Sequence, residues 1–163
     1  MLKVRLSIVS IVSIMSLWFM VSPSPIAAQD SPKATGTECT PFAIRQDTDS
    51  FPEIEGKSEH QELWALLFPY HLPIRTDEDI KIVWRMTGVG TFQLFAQHTD
   101  GTIIPPIWGP EEHGGSSWHR PGEEWGTGFH FPKAGCWRIV VQYGTDSGEV
   151  DLLIVDPPEW QIF

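Results

Sequence analysis

The chain has 163 residues, with 11 Lys and Arg against 21 Asp and Glu for a formal net charge of −10. That length builds one ordinary domain and hardly two, and the acidic balance excludes partners that are polyanions, whether nucleic acid or an anionic membrane surface. Fourteen Gly and 14 Pro favour short strands and many turns over a helical bundle, while eight Trp must either fill a core or mark a surface.

Lys3 and Arg5 open the chain and no further charge occurs before Asp30. Between them Ile8 to Val21 is apolar apart from Ser10, Ser13 and Ser16, and Ile26-Ala27-Ala28 offers small residues before Gln29. A positive start, a short apolar stretch and a small-residue cleavage site predict a secretory signal peptide over residues 1–28. The competing expectation is an uncleaved anchor from Leu6 to Ile26, against which Pro23 and Pro25 break the helix before it reaches bilayer length. Cleavage after Ala28 removes Lys3 and Arg5, leaving nine basic residues against 21 acidic ones, a net of −12. No later apolar run is long enough to span a membrane, so the expected location is secreted or extracytoplasmic, with no membrane contact after cleavage.

Two cysteines, Cys39 and Cys136, remain in the mature part. An even count in an exported chain predicts a disulfide between them. Neither has a CxxC partner of the kind a metal-thiolate site needs.

Residues 29–60 are polar and without period, and read as an N-terminal arm ahead of a domain over 61–163. Leu63 to Phe68 is a short apolar run cut off by Pro69, which predicts a buried strand. Ile80, Ile82, Trp84 and Met86 alternate with Lys81, Val83 and Arg85, the pattern of a strand with one face buried. After Gly88-Val89-Gly90, the residues Phe92, Leu94 and Ala96 alternate with Gln93, Phe95 and Gln97, which predicts a hairpin with the strand before. Thr102 to Trp108 allows only a short or edge strand, because Pro105 and Pro106 donate no hydrogen bonds. Residues 109–124 have no period and read as a long surface loop, and Gly126 to Phe131 as a further strand. Trp137, Ile139, Val141 and Tyr143 alternate with Cys136, Arg138, Val140 and Gln142. A turn at Asp146-Ser147-Gly148 then leads to a last strand with Val150, Leu152 and Ile154 inward and Asp151 outside. About seven short strands with no helix predict an all-β fold, an antiparallel immunoglobulin-like β-sandwich. On this register Cys136 points away from the core, unlike the inter-sheet cysteines of antibody domains.

The stretch from Trp108 to Trp125 concentrates aromatic and ionisable side chains, and a loop of that kind on a rigid sandwich is where function is expected. Trp108, Trp118, Trp125, His119, Arg120 and Glu123 form the candidate ligand-binding set, because flat indoles stack on sugar faces while charged groups supply directional hydrogen bonds. Against this, Trp125 precedes a strand and is expected to serve the core. His113, His119 and His130 are a second candidate, a metal site or metal-dependent enzyme, although their spacing fits no defined motif. Catalysis has the least support. Glu123 and Glu124 are adjacent and point apart in extended chain, and no nucleophile elbow surrounds Ser116 or Ser117.

The run from Arg120 to Ile139, with Ile82-Val83-Trp84-Arg85-Met86-Thr87-Gly88 and Trp108-Gly109-Pro110 as companions, resembles segments of a group of uncharacterised exported bacterial proteins with an immunoglobulin-like domain. The resemblance covers about residues 60–155 and implies export and this fold. It implies no reaction and transfers no catalytic residue. The expected function is therefore a secreted, non-enzymatic binding or accessory domain that takes a saccharide, small-molecule or protein ligand and requires no cofactor.

Overall fold

The computed structural model describes residues 40–46 and 50–159. The expected signal peptide, residues 29–39 and 47–49 of the expected arm, and with them Cys39, lie outside the described residues.

Eleven strands follow one another in the described residues. They are β1 (Glu53–Glu55), β2 (Lys57–Ser58), β3 (Leu63–Phe68), β4 (Ile74–Arg75), β5 (Asp79–Met86), β6 (Phe92–His98), β7 (Ile103–Ile104), β8 (Trp108–Glu112), β9 (Glu123–His130), β10 (Gly135–Tyr143) and β11 (Asp146–Val155). The first sheet has the order β1-β3-β5-β9-β8 and the second β2-β11-β10-β6-β7. Pairing is antiparallel except that β4 runs parallel beside the end of β11, with Ile74 opposite Ile154.

The longer strands β3, β5, β6, β9, β10 and β11 present alternate residues to a single core shared by the two sheets. From the first sheet come Leu63, Ala65, Leu67, Ile80, Ile82, Trp84, Met86, Trp125 and Phe129, and from the second Phe92, Leu94, Ala96, Trp137, Ile139, Val141, Tyr143, Val150, Leu152 and Ile154. The inward faces expected for β5, β10 and β11 are the observed ones. Trp84 is fully buried, and its indole nitrogen donates to Thr127 Oγ1 at 2.8 Å. That bond removes the cost of burying the one polar atom of the ring. Phe92 stacks on Trp125 across the core, with centroids 4.0 Å apart and planes 7° from parallel.

Four features differ from the sequence expectation. β1 and β2 lie within residues 29–60, so the end of that stretch is sheet: Ile54 is fully buried and pairs with Ala65. Residues 108–112 form β8 at the edge of the first sheet, with a register shift between Trp108 and Glu111, so the loop shrinks to 113–122. The stretch has no period because an edge strand with an irregular register buries no regular face. β5 and β6 do not make a hairpin: β6 crosses to the second sheet and pairs with β10. The alternation of two consecutive strands cannot distinguish pairing from packing face to face, since both bury one side. Finally, β10 and β11 do form a hairpin, but it turns at Gly144-Thr145, where Gly144 takes a φ of +62° that glycine adopts without strain.

The outer side of the second sheet is closed to solvent in part: Arg138, Val140 and Asp151 are buried, while Leu153 is exposed. Segment 40–46 is a strap beside β11, with the Phe42 amide donating to the Asp151 carbonyl and the Thr40 amide to Asp151 Oδ2, both at 3.1 Å, while the Phe42 ring packs against the core. Arg138 and Asp151, expected on an exposed face, are both buried. The segment then bridges to the first sheet through paired backbone bonds between Arg45 and Glu53 at 2.8 Å.

Candidate functional site

The outer face of the first sheet is ordered in cross-strand rows. Glu55, Trp64, Arg85 and Glu124 make one row, and Glu53, Leu66, Val83 and Gly126 the next. Phe68, Lys81, Gly128 and Trp108 make a third, and Asp79 with His130 closes the face. Directly opposed side chains on one face interact, so each row acts as a unit.

The loop 113–122 lies over the first two rows. Glu124 receives three donors, His113 Nδ1 at 2.6 Å, Ser116 Oγ at 2.6 Å and Arg85 Nε at 2.8 Å. Arg85 reaches on to the Arg120 carbonyl at 2.6 Å. From the other side of the loop Glu53 accepts Trp118 Nε1 at 3.0 Å and Arg120 Nε at 3.1 Å, and the Arg120 guanidinium lies 3.9 Å from the centre of the Trp64 ring. Burial alone would push the Glu124 carboxyl up, but the bonds from Ser116, Arg85 and His113 outweigh it and hold the group below the usual carboxylate range. Glu53 is also held low, chiefly by its hydrogen bond with Arg120. Two ionised carboxylates therefore clamp this loop to the sheet.

That arrangement disperses the candidate ligand set. Trp125 is in the core, and Trp118 and Arg120 are committed to Glu53. Glu123 accepts the Tyr143 hydroxyl, a bond that with burial pushes that phenol up to about 12. His119 is exposed. Of the set, Trp108 alone joins an open aromatic surface, and it does so from a strand.

The three histidines are also kept apart. His113 donates its backbone amide to the Glu124 carbonyl, whereas His130 pairs with Asp79 at 2.8 Å at the other end of β9. Six strand residues separate those ends, about 20 Å, so the two imidazoles cannot share an ion. Among the described residues no group of three or more His, Cys, Asp or Glu side chains is placed to hold a metal. Ser116 bonds the carboxylate of Glu124 and no imidazole, so it lacks the adjacent base that activates a hydroxyl nucleophile.

The third row stays open. Phe51, exposed just before β1, packs on Phe68 with ring centres 4.3 Å apart. The Lys81 ammonium sits 5.1 Å from the Phe68 centroid. Trp108 lies flat over β9 because Gly128 has no side chain: a Cβ there would come within 1.9 Å of the indole nitrogen. Phe51, Phe68, Tyr70, Asp79, Lys81 and Trp108 line a shallow groove of about 430 Å³. Phe51, Phe68, Tyr70 and Lys81 escaped the sequence reading. The only local signal was that Phe68 and Lys81 fall on the face opposite the core, and the register that aligns them with Trp108 is a long-range property. No family model, curated protein or solved structure matches the chain.

Proposed function

We propose that the protein is an exported, non-enzymatic binding domain of immunoglobulin-like architecture. It meets its ligand on the outer face of the first sheet, at the aromatic row ending in Trp108, and not at the tip of loop 113–122. Counted from β3, the orders β3-β5-β9-β8 and β11-β10-β6 correspond to the A-B-E-D and G-F-C sheets of that architecture, which supports the fold reading. The signal-like residues 1–28 support export, and a Cys39–Cys136 disulfide belongs to the same reading.

The observation that carries the binding site is the row Phe68, Lys81, Gly128, Trp108, with Phe51 packed behind it. Aromatic rings left open on a rigid sheet, each braced by a neighbour, are what a recognition surface needs and a solvated face does not. Titration of isotope-labelled mature protein with saccharides, small aromatic compounds and peptides tests the reading. Backbone shifts should cluster at Lys81, Gly128 and Trp108. Shifts confined to 113–122, or none with any class, would reject this face as the binding site.

A further inference from the structure

We propose, resting on that reading of the face, that the groove takes a neutral saccharide chain laid across the strands. Trp108 is anchored on β8 but its ring leans back over Gly126 and Gly128 of β9. From Phe68 on β3 to that ring is two strand spacings, about 10 Å, room for a short run of linked pyranose rings with one aromatic platform under each end. The C–H face of a pyranose is apolar and packs on an aromatic face, while its hydroxyls radiate at the ring edge and need both donors and acceptors.

The surroundings meet that second need. Lys81, whose backbone lies between the platforms and whose ammonium reaches the Phe68 end, supplies a donor. Asp79 and His130, paired at 2.8 Å in the adjoining row, supply acceptor and donor, and Tyr70, the most exposed large side chain in the groove, carries a hydroxyl of both kinds. Lys81 and Asp79 also balance in charge, so the groove itself selects no ion. The chain as a whole is at −10, which repels an anionic polysaccharide. A basic protein would be drawn to that charge generally, but not to this face, where Lys81 interrupts the rings and prevents the continuous apolar centre that a protein partner buries. Both platforms are held before any ligand arrives, Phe68 by Phe51 and Trp108 by its glycine seat, so little side-chain freedom is lost on binding.

Affinity electrophoresis of the mature protein through gels containing a neutral β-glucan, xylan, mannan or anionic alginate tests the proposal, with isothermal titration against oligosaccharides of the retarding polymer. At least one neutral polymer should retard the protein and alginate should not. Trp108→Ala and Phe68→Ala should each weaken binding tenfold or more, and Lys81→Ala a few-fold. Ile103→Ser, an exposed change on the other sheet, should leave binding unaltered. Gly128→Ala keeps every ring but unseats Trp108, and a loss of retardation with unchanged thermal melting separates ligand loss from unfolding. Retardation by alginate alone, or by no polymer, overturns the saccharide proposal. If peptides then shift Lys81 and Trp108, the binding face survives without the saccharide. Retardation that ignores Trp108→Ala and Phe68→Ala overturns both.

Discussion

Arg138 and Asp151 face each other across the β10–β11 pair and join through two hydrogen bonds, Nε to Oδ1 at 2.7 Å and Nη2 to Oδ2 at 2.8 Å, in a place where both are buried. Asp151 also accepts the Thr40 amide, and Glu149 stands 3.3 Å from Arg138 Nε. The fork geometry of the guanidinium suits this use, since it matches both carboxylate oxygens at once. The pair lets two charged groups lie buried on the outward side of this hairpin while Asp151 still anchors Thr40.

Removing one member leaves the other buried and charged. Asp151→Ala should cost about 3 kcal/mol, the low end of the usual range because Glu149 remains as a partial partner. Replacing both residues by apolar ones of similar size should be close to neutral. Urea unfolding midpoints measure both, and a loss under about 1 kcal/mol for the single change would mean that solvent reaches the pair.

Trp84 fills the centre of the first sheet's inner face between Ile82 and Met86. Trp84→Ala should cost about 3–5 kcal/mol through the cavity it leaves. Thr127→Val should cost about 1–3 kcal/mol through a different route, by orphaning the indole N–H. Equilibrium unfolding of the two variants distinguishes packing from polar satisfaction at one site.

Acid should release loop 113–122 before it unfolds the sheets. Glu53 and Glu124 have carboxyls held below their ordinary value, so their contribution is complete above the unfolded pKa of about 4.3. It is lost as pH falls through the lower folded values, because protonation then removes the acceptors of Trp118, Arg120, Ser116 and His113. Hydrogen-exchange protection across 113–122, taken relative to the intrinsic rate at each pH, should be present at neutral pH and fall below about pH 4, while the β10–β11 hairpin keeps its protection. Glu124→Gln should move the loop's release to higher pH; an unchanged profile would show that the clamp does not depend on this charge.

If the Cys39–Cys136 disulfide forms, its effect should be local. Cys136 alternates with the fully buried Trp137 and shares its outward side with Arg138 and Asp151, where Thr40 is bonded. Reduction should lower stability by up to about 4 kcal/mol and expose that segment to protease, with the β spectrum retained. Free thiol in the unreduced mature protein would eliminate the bridge, and loss of the entire fold on reduction would show that the strap supports the core.

Local pattern alone determined which residues of β5, β10 and β11 enter the core, since side chains alternate from residue to residue and the apolar ones at 80, 82, 84 and 86 or 137, 139, 141 and 143 leave one face to bury. It determined the strand-built character of the described residues as well, and the acidic balance of the chain. What lies against the other face was decided only by tertiary structure. Nothing within β10 announces that Arg138 will be buried against Asp151 or that Thr40 will bond that carboxylate, and nothing in the Trp-rich stretch reveals that Glu53 will hold Trp118. The three tryptophans of that stretch end in three environments: the core place of Trp125 is foreshadowed by the strand it precedes, whereas those of Trp108 and Trp118 are set by what residues far away in sequence bring alongside. Trp108 joins Phe68 and Lys81 for the same reason: strand order and register made that row, and local alternation specifies neither.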